Sequence, residues 1–189
     1  MIDELIDLIN NNFDGIIDEQ ITLGIVQRVY RVNGDDSVDF MPGIINNDGE
    51  AIYAGIDDIR SLSIYHKLNS ATLSNNPRGG YGDSKRNEDT FQGSVIACWD
   101  TRKVKLQASE MLLLLRNRMP QCLIDTQKNF DIQITPTVAI LNTKQVFDSE
   151  YSIGQAGYIL PLFINFLQLN YNLLIKYDQD CIEKCINCS

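Results

Sequence analysis

Histidine is almost absent from this sequence, since His66 is the only one among 189 residues. Imidazole is the side chain whose ordinary pKa suits proton transfer near neutral pH, so its scarcity argues against acid–base catalysis. His66 stands between Tyr65 and Lys67 in a segment that reads as a strand, where we expect a packed or solvated ring. Glycine-rich phosphate loops are also missing, because the glycines of 79–82 lie in a polar loop with no strand-to-helix context. We expect neither catalysis nor a cofactor.

Basic residues are outnumbered, with 16 Lys and Arg against 25 Asp and Glu and a formal net charge of −9. A chain that grips nucleic acid by neutralising phosphates needs the opposite balance, so we expect DNA to pass nearby at most, without specific binding. No apolar run approaches the ~18 residues that cross a membrane, so we expect no membrane partner. The opening MIDELIDLI carries acids where a secretory signal needs positive charge, and five cysteines, an odd number, indicate reduced thiols in a cytoplasmic setting.

The strongest local pattern runs through residues 93–120, where a short apolar run, 95–99, leads into a helical pattern. The run is too short for a helix and predicts a strand buried on both faces, with Cys98 in the core. Either Asp100 or Thr101 can cap the helix, and Pro120 ends it. Its apolar stripe recurs at spacings of three and four residues: Val104, Ala108, Met111, Leu112, Leu115 and Met119.

Two further leucines, Leu113 and Leu114, widen that stripe beyond what one packing surface needs. We therefore expect one flank of the helix to touch something besides its own sheet. Both leucines are candidate subunit-interface residues.

The remaining pattern predicts one α+β domain over residues 1–178, a twisted, mostly antiparallel sheet with an N-terminal helix and the central helix on one face. Alternation of apolar and polar residues over 167–177 predicts a long final strand. Polar residues and glycines at 142–157 predict irregular structure. The other predicted elements are a helix at 2–13, a strand at 21–32, an antiparallel hairpin at 38–56 with Pro42 on an edge or bulge, a strand at 60–73, and a strand pair or single strand at 130–141, bent at Pro136.

Residues 74–91 are polar and rich in glycine, and they connect two predicted strands. Loops of this length inside a compact domain are disordered or functional, so we interpret the segment as a hairpin arm that reaches a neighbouring subunit. Its candidate contacts are the cations that can meet carboxylates of an acidic partner and the one aromatic side chain able to enter a pocket: Arg78, Lys85, Arg86 and Tyr81.

Residues 179–189 form a separate cysteine-containing tail in which Cys181, Cys185 and Cys188 have the spacing C-x3-C-x2-C. This spacing resembles the cluster loop of radical enzymes that use S-adenosylmethionine, but no barrel of strands and helices follows it. Three thiolates could hold zinc if His66 or another chain supplied a fourth ligand. The alternative is an incidental tail, and no metal is then expected.

The order of elements resembles the small tail-terminator and tail-completion proteins that form rings at the head-to-tail neck of tailed bacteriophages. The likeness covers the acidic N-terminal helix, the antiparallel sheet, the long hairpin arm, the central helix and the long alternating strand. It implies a non-enzymatic virion protein, assembled in the host cytoplasm, that forms a homo-oligomeric ring around the DNA channel. Its partners would be neighbouring portal, neck or tail proteins, and the family has no catalytic residues to carry over.

The cysteine tail and the hairpin at 38–56 depart from a minimal member of that family. The alternative function is a small metal- or ligand-binding regulatory domain that uses the cysteines at 181, 185 and 188.

Overall fold

The computed structural model describes residues 2–32, 38–74, 86–120, 122–125, 130–151 and 160–178. These residues form a single α+β domain, as the sequence predicts. Their helices and strands, in chain order, are α1 (Ile2–Asn10), β1 (Gln20–Ile25), β2 (Gln27–Val32), β3 (Val38–Ile45), β4 (Ala51–Tyr53), β5 (Leu62–Ser74), β6 (Arg86–Asp100), α2 (Ala108–Arg118), β7 (Cys122–Asp125), β8 (Phe130–Ile140), α3 (Thr143–Glu150) and β9 (Ile164–Asp178). None of these helices is long and apolar enough to cross a lipid bilayer.

The strands form one large and one small sheet. The six-stranded sheet has the order β1-β5-β6-β9-β8-β7, and the three-stranded sheet has the order β2-β3-β4. Every pair is antiparallel except β1 with β5, which is parallel. The predicted mostly antiparallel sheet is therefore confirmed, and the single parallel pair is the departure from it.

Helices cover both faces of the six-stranded sheet. On one face, α1 and α2 pack over the sheet through buried side chains such as Ile6 and Leu115, and they meet Trp99 and Leu167 there. On the other face, α3 and the small sheet pack over Phe166 and its neighbours. The predicted placement of the N-terminal and central helices on one face is confirmed, and α3, which the sequence did not predict, covers the other face.

Helix α3 lies within the stretch that the sequence predicts to be irregular. Asn142 begins it by accepting a hydrogen bond from the Gln145 amide at 3.1 Å, the usual role of an N-cap side chain. Its apolar contribution to the core is Val146 and Phe147, both buried. Two apolar residues in eight are too few to produce a helical repeat, which explains why the pattern did not reveal it.

Helix α2 begins at Ala108, later than the predicted caps Asp100 and Thr101. Asp100 stabilises a turn instead: its carboxylate accepts from the Arg102 amide at 2.8 Å, and its backbone carbonyl accepts from the Val104 amide at 2.8 Å. The helix start is set by Glu110, which accepts from the backbone amide of Gln107 at 2.8 Å. Aspartate and threonine stabilise turns as well as helix starts, so Asp100 and Thr101 indicated a turn here and not the start of α2.

The predicted strand 21–32 is divided at Val26, whose amide donates to the His66 carbonyl at 2.9 Å. The two halves, β1 and β2, belong to different sheets. The hairpin at 38–56 is confirmed as β3 and β4, but β3 is the middle strand of the small sheet, so Pro42 does not lie on an edge strand. The Pro42 carbonyl accepts a hydrogen bond from the amide of Ala54, the first residue beyond β4. Pro42 therefore lies just outside the paired residues of β3 and β4, where the amide that proline lacks is not needed for the ladder.

The final strand, β9, is confirmed and lies between β6 and β8 in the interior of the large sheet. Its alternate residues from Leu167 to Ile175 are buried on the face covered by α1 and α2. Tyr171 lies against Gly93 of β6 so closely that a Cβ on Gly93 would approach the Tyr171 Cζ to 2.5 Å. The neighbouring β8 is a single strand whose register with β9 shifts between Pro136 and Ala139, which fits the bent-strand alternative.

Candidate subunit interface

The predicted arm is partly strand. β5 reaches Ser74 and β6 begins at Arg86, and the two remain paired as far as Ser74 opposite Glu88. Residues 86–91 therefore belong to the sheet, and Phe91 is buried in the core. The predicted arm therefore extends too far along the chain at its second end, because the backbone of residues 86–91 pairs with β9 and that of residues 88–91 also pairs with β5.

The arm has four candidate contacts, and the structure describes one of them. Arg78, Tyr81 and Lys85 fall outside the described residues. Arg86 is the first residue of β6, and its backbone pairs with Asp178 of β9. The structure therefore anchors the base of the predicted arm in the middle of the large sheet.

The two leucines of α2 have different surroundings. Leu114 is partly buried against the core, whereas Leu113 is 57% exposed. The prediction of an exposed apolar flank thus applies to Leu113, and Leu114 belongs to the packing between helix and sheet.

A cleft of about 960 Å³ lies between α2 and β8. Leu113 lines it together with polar and apolar groups of both elements: Arg116, Asn117, Met119, Gln133, Ile134, Thr135 and Pro136. The cleft borders the β8 edge of the sheet where β7 has ended, since β7 pairs with β8 only over residues 130–133. An exposed leucine beside an arginine and strand backbone can receive an apolar anchor with polar contacts around it.

Toward the opposite edge of the large sheet from the cleft, the last residues of β5 expose apolar side chains. Leu68 is 37% exposed and Leu73 is 64% exposed. At this point β5 has a bulge at Asn69, because Leu68 pairs with Gly93 while Ser70 pairs with the adjacent Gln92. The strand pattern of 60–73 slips at this position, which is the only sequence signal of the bulge.

A hydrogen-bonded cluster fixes the bulge. Asn69 donates to the Ser94 hydroxyl at 2.9 Å, and Ser94 in turn donates to Asn170 at 2.8 Å. Gln168 donates to the same Asn170 oxygen at 2.6 Å. These hydrogen bonds join β5, β6 and β9, so they hold the bulge in one defined conformation.

Next to the bulge, an ion pair ties β5 to α3. Lys67 Nζ lies 2.6 Å from Glu150, whose carboxylate also accepts from the Tyr65 hydroxyl at 3.2 Å. Glu150 is buried, and burial raises the pKa of the Tyr65 phenol well above its ordinary value. Removing the Lys67 charge would leave the buried Glu150 carboxylate without its cation, so the pair helps to fix the position of α3 on this face.

His66 is fully buried and packed, one of the two placements expected from the sequence. Its Nε2 lies 2.9 Å from the Asn10 side-chain oxygen and its Nδ1 lies 3.1 Å from the Tyr171 hydroxyl. The Asn10 oxygen can only accept, so Nε2 carries the proton and Nδ1 accepts from Tyr171. Burial lowers the pKa of His66 to about 3, and the neutral ring joins α1 to β5 and β9.

A second cleft, of about 400 Å³, brings together Glu19, Ser61 and Lys103. Glu19 accepts hydrogen bonds from the Ser61 hydroxyl and, at 3.0 Å, from Lys103. The hydrogen bond from Ser61 has the larger effect and that from Lys103 the smaller, and both lower the pKa of the Glu19 carboxyl. A carboxylate with a lowered pKa is a weak proton acceptor. Ser61 itself is buried, so this arrangement links loops and offers no accessible nucleophile.

Metal ligands do not converge in the part of the chain that the structure describes, where no group of three or more His, Cys, Asp and Glu side chains could hold an ion. Cys98 is buried in the core, as predicted. The weak metal candidates Cys181, Cys185 and Cys188 lie outside the described residues.

Neither the models of known protein families nor the curated proteins match this sequence.

Proposed function

We propose that this chain is a non-enzymatic structural subunit of a phage head-to-tail neck, of the tail-terminator or tail-completion type. Copies of it form a ring around the DNA channel, between portal and tail proteins of the virion. The order of elements supports this proposal: an N-terminal helix, a mostly antiparallel sheet, a long β-hairpin, a central helix and a long final strand.

One observation carries the proposal. The domain has two unlike surfaces. One is the β5–β6 hairpin, with strands of 13 and 15 residues, and the other is the cleft between α2 and β8 beside Leu113. A head-to-tail contact joins two unlike surfaces, and repeating it closes a ring when the rotation permits. In the proposed ring, the hairpin tip of one subunit enters the cleft of the next.

The charge of the protein fits a channel wall. A net charge of −9 repels phosphates, so DNA can move past the wall without being held. The side chain that enters the cleft is then Tyr81, because the described lining of the cleft contains no carboxylate. The cations Arg78, Lys85 and Arg86 meet carboxylates of the acidic neighbouring subunit outside the cleft.

Native mass spectrometry and negative-stain electron microscopy of the purified protein, alone and mixed with neck and tail proteins, test the proposal. We expect a closed oligomer in at least one mixture. Leu113→Arg should prevent ring closure, because it adds a cation beside Arg116 to the cleft that receives a hairpin with several cations, whereas Ile59→Arg, at a loop position 79% exposed, should not. A strict monomer in every mixture would contradict the proposal.

A further inference from the structure

The outer edge of β5 is open along residues 68–74. On that side β1 pairs with β5 only as far as His66, whose carbonyl accepts from Val26 at 2.9 Å. The chain then leaves as β2 for the small sheet. On its inner side β5 stays paired with β6 to its last residue. Among the described residues, no strand covers this half of β5.

The pairing pattern shows which backbone groups face outward. In an antiparallel pair, the amide and carbonyl of a given residue point to the same side, and alternate residues point to opposite sides. His66 and Leu68 point away from β6, and the bulge at Asn69 shifts the alternation by one residue. Ala71 and Leu73 therefore present both backbone groups to the open side, while Thr72 uses its own groups to pair with β6.

Nothing in this edge blocks the addition of another strand. Residues 68–74, LNSATLS, contain no charged residue and no proline. The open part of β8, residues 134–140, is different, because Pro136 lacks an amide and the register shifts beside it. Proline, charge and bulges are the usual devices that protect exposed edges, and β5 has only the bulge at its inner end.

The open segment is also complementary to itself. We propose that two copies of this chain pair antiparallel through β5, about a two-fold axis at Thr72. Ala71 of each copy then lies opposite Leu73 of the other, so the outward amides and carbonyls of both residues are satisfied. The two exposed Leu73 side chains each cover an alanine on the same sheet face. The two Thr72 side chains meet at the axis.

This contact is distinct from the proposed ring contact. A two-fold contact joins like surfaces and ends at a pair, whereas the ring joins the hairpin to a different surface, the cleft beside Leu113. Leu113→Arg should therefore leave the pairs intact, and Thr72→Lys should separate the pairs whether or not rings form.

Disulfide cross-linking tests the register. Residues directly opposite each other at a non-hydrogen-bonded position have Cβ atoms about 4.5–5.5 Å apart, close enough for a disulfide after a small adjustment. In a background with the cysteines of 179–189 replaced by serine, Thr72→Cys should give a covalent dimer with added oxidant, mapped by mass spectrometry to residue 72 of both copies. Ser70→Cys is the matched control, since it would lie opposite residue 74. A failure of Thr72→Cys to link, or equal linking of both variants, overturns the proposal.

Sedimentation velocity tests the pairing without a covalent bond. Thr72→Lys places two like charges at the axis on an exposed position, so the dimer dissociation constant should rise at least about tenfold while the fold persists. Val138→Lys, on an exposed position of β8, should leave it unchanged. A wild-type chain that stays monomeric up to its solubility limit, or equal effects of the two lysines, also overturns the proposal.

Discussion

Mild acid should destabilise this protein through one side chain, His66. The ring is fully buried, and its pKa falls to about 3 in the folded protein from an ordinary value of 6.5. Between those values the unfolded chain binds a proton that the folded chain does not, so the free energy of unfolding falls as the pH falls. The stabilisation is complete above pH 6.5 and is lost progressively toward pH 3.

The size of the effect follows from the two pKa values. Linkage gives a loss of about 2 kcal/mol between pH 7 and pH 5, and about 5 kcal/mol if the titration is complete. The acidic groups with lowered pKa, Asp100 among them, contribute only below about pH 4.5, so they do not enter this window. His66 is the only histidine, so no other imidazole contributes.

Urea unfolding at pH 7, 6 and 5 measures the loss directly. The matched variant is His66→Gln, whose amide can still donate to Asn10 and accept from Tyr171 but does not titrate, so its stability should be nearly flat over this range. Proton NMR adds an independent reading, because the single imidazole signal of the folded protein should not shift between pH 7 and 5. A ring that titrates near pH 6.5 in the folded state, or a wild-type loss below about 0.5 kcal/mol, would refute the reasoning.

Three further changes have definite expected results. Gly93→Ala should destabilise the protein by about 1–3 kcal/mol in thermal melting, because the added Cβ would collide with the Tyr171 ring. The control Gly55→Ala should be tolerated, because the nearest atom to its added Cβ would lie 3.9 Å away. Replacing 75–85 by a two-residue turn should leave the melting temperature nearly unchanged and prevent ring formation; normal rings from a destabilised variant would show that the segment belongs to the core. Changing the cysteines of 179–189 to serine should alter neither folding nor assembly, and elemental analysis should find no zinc or iron; one tightly bound metal per chain would favour the regulatory alternative.

Strands with strict alternation could be predicted from the sequence because burial on one face imposes a period of two. The long final strand is the clearest case, with Leu167, Leu169, Tyr171, Leu173 and Ile175 all buried on the same face. The first residues of β6 were harder to predict, because most of them are polar and show no apolar alternation, although their backbone pairs with β9.

Capping signals were ambiguous because aspartate stabilises turns and helices by the same hydrogen bonds. Asp100 therefore indicated a helix seven residues too early, since α2 begins at Ala108. The open half of β5 could not be inferred at all, because it exists only where β1 departs at Val26, and that depends on which strands pair across the chain. The two extra leucines of α2 predicted an exposed apolar flank, and this holds for Leu113 but not for Leu114, which packs against the core.

The position of β9 determines when the fold can form. It is the last strand in the order of described elements, yet it lies between β6 and β8, and it pairs with β6 along its whole length and with β8 over residues 168–176. Until it inserts, β1-β5-β6 and β8-β7 are two separate fragments, each with an unpaired edge toward the gap. A chain whose residue 178 is still inside the ribosome therefore cannot close its core, so this domain folds only after β9 has emerged, and its many long-range strand pairs make that folding slower than the folding of a domain with local contacts.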